Sequence, residues 1–266
     1  MKFTKMHGIG NDFIIVEADE AAKSGMTNFE LAEKMCHRHF GVGADGLIIV
    51  NPADKPLKSE NTDISWRIFN SDGSEPQMCG NGIRCFARYV YDKGLVNKNT
   101  FSVSTLAGVI VPEVLADGRI KVDMGEPILV PAKIPVAIKD IGRVVNYPFE
   151  VNGRKLNFTA VSMGNPHCVI FTDKDSAQMA KTLGTFIEKH VLFPEKTNVE
   201  FVNVISPDKI RVDVWERGCG ITLACGTGAC ASVVAAVLNG YTDRNVEVEL
   251  PGGNLFIEWR SDTNRL

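Results

Sequence analysis

The chain has 266 residues, 44% of them apolar and 23% charged, enough to bury one large core or two of about 100–150 residues each. A formal net charge of -3 supplies no basic field for a phosphate backbone, which argues against nucleic acid as a partner. The seven cysteines (36, 79, 85, 168, 219, 225, 230) are odd in number and form no C-x-x-C pair, which argues against a disulfide framework and a zinc ribbon and for reduced thiols in the cytoplasm.

The N-terminus runs from Met1-Lys2-Phe3-Thr4-Lys5 into His7, Gly8, Asn11 and Asp12 with no apolar signal core, so no export is expected. Gly10-Asn11 precedes a strand, Phe13-Ile14-Ile15-Val16, and a helix is predicted from about Asn28 to His39, stopped by Gly41. Gly41-Val42-Gly43-Ala44-Asp45-Gly46 matches G-x-G-x-x-G, but it follows a helix and leads into Leu47-Ile48-Ile49-Val50. The dinucleotide fingerprint requires the opposite order, and the match is discarded. His37 and His39, two apart near a helix end, cannot share a helical face as metal ligands do and read as solvated residues.

A strand-like run, Ser65 to Phe69, ends at Asn70, and Cys79-Gly80-Asn81-Gly82 leads into a helix rich in apolar residues. Hairpin signals follow at Asp117-Gly118 and Asn152-Gly153. Pro112, Pro127, Pro131 and Pro135 crowd a stretch unsuited to long elements, which places a boundary between domains 1–125 and 126–266, with return of the last residues to the first domain left open. Gly164-Asn165 then precedes the strand Cys168-Val169-Ile170-Phe171, and a helix is expected from about Ser176 to His190. The strand Ile210 to Trp215 ends at Glu216, and Cys225-Gly226-Thr227-Gly228 runs into Ala229 to Leu238. That last apolar stretch is about half of what a bilayer crossing needs and reads as a buried helix, not a membrane span.

Two halves of the chain repeat each other. Cys79 and Cys225 lie 146 positions apart in matching C-G-x-G runs, and Asn70 and Glu216 are separated by the same interval. Gly10-Asn11 and Gly164-Asn165 correspond at 154. The expected fold is α+β, with two pseudo-symmetric domains, each a mostly antiparallel curled sheet around a central helix that is apolar on nearly all faces.

A thiol at a helix N-terminus gains stabilisation of its thiolate from unsatisfied amides and the helix dipole. Cys79 and Cys225 both have that placement, and the glycines after them allow a carboxylate to approach the backbone. Equivalent cysteines in a duplicated protein suit inversion of a carbon centre: one thiolate removes an α-proton and the opposite thiol supplies one to the other face. Cys85 and Cys230 inside apolar helices, and Cys36 inside an amphipathic one, read as core residues.

The runs Lys5-Met6-His7-Gly8-Ile9-Gly10-Asn11-Asp12-Phe13, Met78 to Cys85, Ser162 to His167, Trp215 to Gly218 and Ala224 to Ala229 together resemble the diaminopimelate epimerases, and the resemblance extends to about Trp259. It implies a cofactor-independent isomerase, without pyridoxal phosphate or metal, that interconverts L,L- and meso-diaminopimelate in lysine and peptidoglycan precursor synthesis. It implies that Cys79 and Cys225 are the catalytic acid/base pair and that His167 and Glu216 adjust the thiols. The implied substrate contacts are Asn11, Asn70, Asn165, Asn198, Glu216 and Arg217, with the amides of Gly80, Asn81, Gly226 and Thr227 holding the reacting carboxylate. Arg217 suits a distal carboxylate, and Glu216 with the asparagine carbonyls suits the ammonium. Gly46 replaces a glutamine and Ile221 an often acidic residue of some members, and members continue past this point with a strand-forming segment containing a Tyr-Met-Thr-Gly-Pro-like run, which leaves open whether a final strand is absent or trimmed here.

Two alternatives stay open. One is a racemase or epimerase of another amino acid, of the histidine or hydroxyproline type, on the same scaffold; the other is a thiol redox switch. The expected partner is a small amino-acid substrate, with no nucleic acid and no membrane, and with a homodimer left open.

Overall fold

The computed structural model describes residues 1–52 and 61–266. They form two compact units, Met1–Asp123 and Met124–Leu266.

In the first unit β1 (Thr4–Gly8) returns through Ile9 and Gly10 into β2 (Asn11–Glu17), with Gly8 opposite Asn11. Both loop residues have positive φ, 48° and 89°, the geometry that lets a two-residue loop follow the strand twist. After the short α1 (Ala18–Ala22), α2 (Asn28–Cys36) opens on a capping box between Thr27 and Glu30. This helix ends three residues before the predicted His39. His37 is already extended, and its Nδ1 accepts the amides of His39 and Phe40, a local pairing that competes with the helix.

β3 (Gly46–Pro52) runs parallel to β2, and β4 (Ile64–Asn70) antiparallel to β3. Then α3 (Gly80–Asp92) crosses over to β5 (Val103–Thr105), parallel to β4, and β6 (Gly108–Ile110) closes the sheet antiparallel to β5. A separate hairpin of β7 (Glu113–Val114) and β8 (Ile120–Lys121) brackets Asp117-Gly118, where the sequence signals it.

The first strands of the second unit are β9 (Tyr147–Val151) and β10 (Arg154–Ser162), joined by Asn152 and Gly153 at φ 49° and 71°. There follow β11 (Pro166–Phe171), α4 (Ser176–Glu188), β12 (Asn198–Ser206), β13 (Lys209–Glu216) and β14 (Gly220–Thr222). The chain ends with α5 (Gly226–Leu238), β15 (Asn245–Leu250) and β16 (Gly253–Glu258). The final residues stay within this unit, where Leu266 exchanges backbone hydrogen bonds with Met124 and Gly125.

From β10 to β16 the pairings run antiparallel, parallel, antiparallel, parallel, antiparallel, through β10, β11, β12, β13, β15 and β16. From β1 to β6 they run in the same sequence. A parallel pair needs a crossover, and the helices supply it at matching points: α2 and α4 in one place, α3 and α5 in the other. The duplication read from short motifs therefore extends through six strands of each sheet, with β9 and β14 of the second unit outside it.

β2 and β3 are buried on both faces, which is why they read as continuous apolar runs rather than alternating ones. Phe13, Ile15 and Ile48 face Trp66, Ile68, Ile83 and Phe86 on the α3 side. Ile14, Val16, Leu47 and Ile49 pack with Leu31 and Ala32 of α2 on the other. In the second unit α5 is buried from Gly228 through Ala236, as an all-apolar helix should be. α3 differs from the expectation: Arg84, Arg88 and Asp92 lie one turn apart on a polar stripe, and Arg88 Nε donates to Asp92 at 2.8 Å. Among the described residues no helix is long and apolar enough to cross a membrane.

Candidate active site

Each unit ends a strand just ahead of a helix whose N-cap is a cysteine. Cys79 caps α3 with extended backbone (φ -142°, ψ 115°), and its Sγ accepts the amide of Gly82 at 3.4 Å. Sulfur thus stands where a serine or aspartate oxygen usually caps a helix. The first intrahelical bond runs from Ile83 N to Cys79 O, so the amides of Gly80 and Asn81 point out of the helix end.

Asn11, first residue of β2, meets this helix end. Its Oδ1 accepts from Asn81 Nδ2 at 3.3 Å and lies 4.0 Å from Cys79 Sγ. Its amide orientation is fixed from behind, because Nδ2 donates to Asp45 at 2.8 Å. Asp45 also accepts from Asp12 N and from Arg38. Sequence reasoning passed over Asp45, having weighed its glycine-rich run only as a dinucleotide loop. Asn70, last residue of β4, lies opposite Gly46 and donates to Ser74 Oγ at 2.9 Å.

In the second unit Cys225 caps α5 (φ -124°, ψ 111°); Gly228 N donates to Sγ at 3.3 Å, and Sγ shares a hydrogen bond with Thr227 Oγ1 at 3.4 Å. Gly226 and Thr227 contribute the outward amides, ahead of Ala229 N, which bonds Cys225 O. Glu216, last residue of β13, accepts from Thr222 Oγ1 at 2.6 Å and lies near enough to Cys225 for its charge to act on the thiol. Asn198 begins β12 and is held on both sides: its Oδ1 accepts Arg217 N, and its Nδ2 donates to Pro166 O, both at 2.9 Å. The Arg217 guanidinium donates to Glu195 O at 3.1 Å.

Asn165 and His167 are adjacent, with Asn165 Oδ1 3.0 Å from His167 Nε2. His167 is fully buried, and its Nδ1 lies 2.7 Å from Glu200 Oε1. Two acidic residues here were not anticipated from sequence. Glu200 is one. Glu188 is the other: buried on α4, it accepts from Trp215 Nε1 at 2.8 Å and Gly218 N at 3.1 Å, and so pins both sides of the Glu216-Arg217 turn.

The electrostatics reverse one expectation. Burial pushes the Cys225 thiol well above its usual value, the negative charges of Glu216 and Glu200 push the same way, and the bonds from Thr227 and Gly228 oppose them. A helix end alone would favour the thiolate; at Cys225 desolvation and two carboxylates outweigh it. Glu216 is itself raised, by burial first, with Thr222 pulling it back. Among the other cysteines, Cys36, Cys85, Cys168 and Cys230 are buried and Cys219 is exposed.

The fold is shared with solved structures. A hydroxyproline epimerase from Agrobacterium vitis superposes with a TM-score of 0.65 at 12% identity, covering 97% of this chain and 83% of that one. A phenazine biosynthesis protein of the PhzF family from Bacillus anthracis gives 0.62 at 17%, covering 100% and 94%. At such identities these likenesses define the fold class alone: a duplicated α+β protein built on two sheet-wrapped helices. The family model described as diaminopimelate epimerase matches residues 3–130 and 159–266. Diaminopimelate epimerase of Desulfitobacterium hafniense is 54% identical over 267 residues, 98% of this chain and 92% of that protein. The corresponding protein of Heliobacterium modesticaldum is 53% identical over 272 residues, covering 100% and 94%. The chain belongs to the diaminopimelate epimerase family.

Proposed function

We propose that this chain interconverts L,L- and meso-diaminopimelate by a two-cysteine acid/base mechanism, without pyridoxal phosphate or metal, among the reduced thiols of the cytoplasm. The observation that carries the reading is the pair of cysteine N-caps at equivalent positions of a duplicated fold. Each sulfur is held by the third amide of its own helix while the first two amides stay directed outward.

In the reaction one sulfur, as thiolate, takes the α-proton from one face of the substrate, and the other, as thiol, gives its own proton to the opposite face. The α-carbon inverts and the thiol and thiolate exchange places, so no net proton is consumed. Charge building on the reacting carboxylate would be met by the amides of Gly80 and Asn81 and of Gly226 and Thr227. Burial and two carboxylates hold the proton on Cys225, which makes it the donor in turnover that begins from this state. Arg217 suits the distal carboxylate of diaminopimelate, and Asn11, Asn70, Asn165, Asn198 and Glu216 offer acceptors to its ammonium.

Proton NMR of the reduced protein with L,L-diaminopimelate in deuterated water tests this directly. Loss of the α-proton signal and growth of the meso isomer are expected, and both should vanish in Cys79→Ala and in Cys225→Ala. Exchange that persists in either variant would sink the two-cysteine mechanism.

A further inference from the structure

Glu200 lies on β12 with no solvent exposure, and its side chain makes one hydrogen bond, through Oε1 to His167 Nδ1 at 2.7 Å. Its Oε2 is buried with no hydrogen-bond partner among the described residues. The carboxylate rests against the first turn of α5: a Cβ added to Gly228 would meet Glu200 Oε1 at 2.7 Å and Cys225 Sγ at 3.3 Å. Those two atoms are therefore about 6 Å apart at most, within the range over which one charge alters another group's titration.

The duplicated fold supplies an internal control. Asn11 corresponds to Asn165, so Phe13 corresponds to His167; Phe13 pairs with Gly46 as His167 pairs with Asn198, so Ile48 corresponds to Glu200. In the first unit these two places hold buried apolar side chains of the α3 core. The sheet thus closes over its helix without a charge there. A buried ion pair is in general no more stabilising than well-packed apolar residues of similar volume, and an unpaired carboxylate oxygen adds to its cost. Packing alone does not explain why the second unit keeps His167 and Glu200.

We propose that Glu200 is a positioning residue for the Cys225 half of the reaction: it fixes the His167 ring between itself and Asn165 and sets its carboxyl group beneath the first turn of α5. The inference rests on the epimerase reading for its effect on turnover, but not for its effect on the thiol. Both ring nitrogens of His167 face acceptors, Asn165 Oδ1 and Glu200 Oε1, so the ring is clamped from two sides. The titratable groups around Cys225 are Glu200 on β12, Glu216 at the end of β13 and His167 on β11. Glu200 raises both the Cys225 thiol and the Glu216 carboxyl, and so favours the protonated form of each.

The test uses two variants. Glu200→Gln keeps the shape and removes the charge. The double variant His167→Phe with Glu200→Ile installs the pair that the first unit already carries. Titration of Cys225 is read by NMR of Cβ-labelled cysteine in a Cys79→Ala background, with Cys79→Ala/Cys225→Ala as the blank, and needs no substrate. The midpoint should fall by about one pH unit or more in both variants. In the background with both cysteines, kcat for Glu200→Gln should fall by about 10- to 100-fold with KM little changed. An unmoved Cys225 midpoint overturns the inference whether or not the protein epimerises, and so does failure of both variants to fold, which would make the pair structural. A moved midpoint in a protein that leaves diaminopimelate untouched supports the charge assignment and refutes the epimerase reading.

Discussion

Replacing Gly228 by alanine sets two effects of opposite sign against each other. In a helix interior alanine is favoured over glycine by about 0.8–1.0 kcal/mol. At this position the new Cβ would stand 2.7 Å from Glu200 Oε1 and 3.3 Å from both Cβ and Sγ of Cys225. Glu200 cannot swing aside without leaving His167, and Cys225 cannot retreat without giving up the Gly228 amide. Overpacking of this kind typically costs about 1–3 kcal/mol, and a strained charge-assisted hydrogen bond adds to that. The crowding should win, leaving a net loss of about 1–3 kcal/mol. A thermodynamic cycle in urea isolates the cause: wild type, Gly228→Ala, Glu200→Ala and the double variant. With the carboxylate gone, the cost of Gly228→Ala should shrink by more than about 1 kcal/mol, because the atom that the Cβ strikes has been removed. The equivalent change in the first unit, Gly82→Ala, meets Ile68 Cδ1 at 2.9 Å, the end of a flexible side chain, and should be milder. A stabilising Gly228→Ala, or one equally costly with and without Glu200, would refute the packing assigned here.

Two further predictions concern pH. Burial pushes the Asp12 carboxyl up, but hydrogen bonds from Arg38 and Lys5 outweigh it and lower the value from 3.8 to about 2. A folded value below the unfolded one gives stability that is complete above pH 4 and lost as pH falls towards 2. Arg38→Ala should therefore move acid unfolding of the first unit, followed by circular dichroism, to higher pH; an unchanged midpoint would count against the network. At the other end, burial pushes Cys36 and Cys85 up to about 11 from 9.0. Here the folded value is the higher one, so the stabilisation is present below pH 9 and declines as pH rises from 9 to 11. Urea midpoints should drop across that window, and Cys36→Ala with Cys85→Ala should flatten the drop; a slope indifferent to both substitutions would contradict the assignment.

The duplication was legible because its signals are local. Cys79 and Cys225 each sit in a four-residue run, and Asn70 and Glu216 each close an apolar strand. The turns at Asp117-Gly118 and Asn152-Gly153 were equally plain, since few residues accept the positive φ found at Gly118, Asn152 and Gly153. What escaped depends on contacts distant in sequence. Glu200 stands among Asn198, Val199, Phe201 and Val202 on a strand buried on both faces, so alternation offers no cue. Its partner His167 lies 33 residues away across a parallel pairing. The Cys225 thiol was misjudged for a related reason: a helix end can be read from C-G-x-G, but burial beside two carboxylates cannot. The stripe of Arg84, Arg88 and Asp92 on α3 was present in the sequence at intervals of four and was outvoted by the apolar residues between them.

The two halves agree in how they hold sulfur and differ in what lies beneath it. Both thiols are N-caps bonded by the third amide of a helix, so topology and capping are common property of the duplicated unit. Beneath α3 the sheet presents Phe13 and Ile48; at the corresponding places beneath α5 it presents His167 and Glu200. Two identical thiols in identical surroundings could share one proton, but neither would be its preferred holder. The proposed reaction needs one sulfur to hold a proton while the other takes one, with the roles exchanged at each turnover. Phe13 and Ile48 beneath α3, against His167 and Glu200 beneath α5, make the two surroundings unlike without altering the shared order of six strands or the caps, and so give the proton a preferred holder.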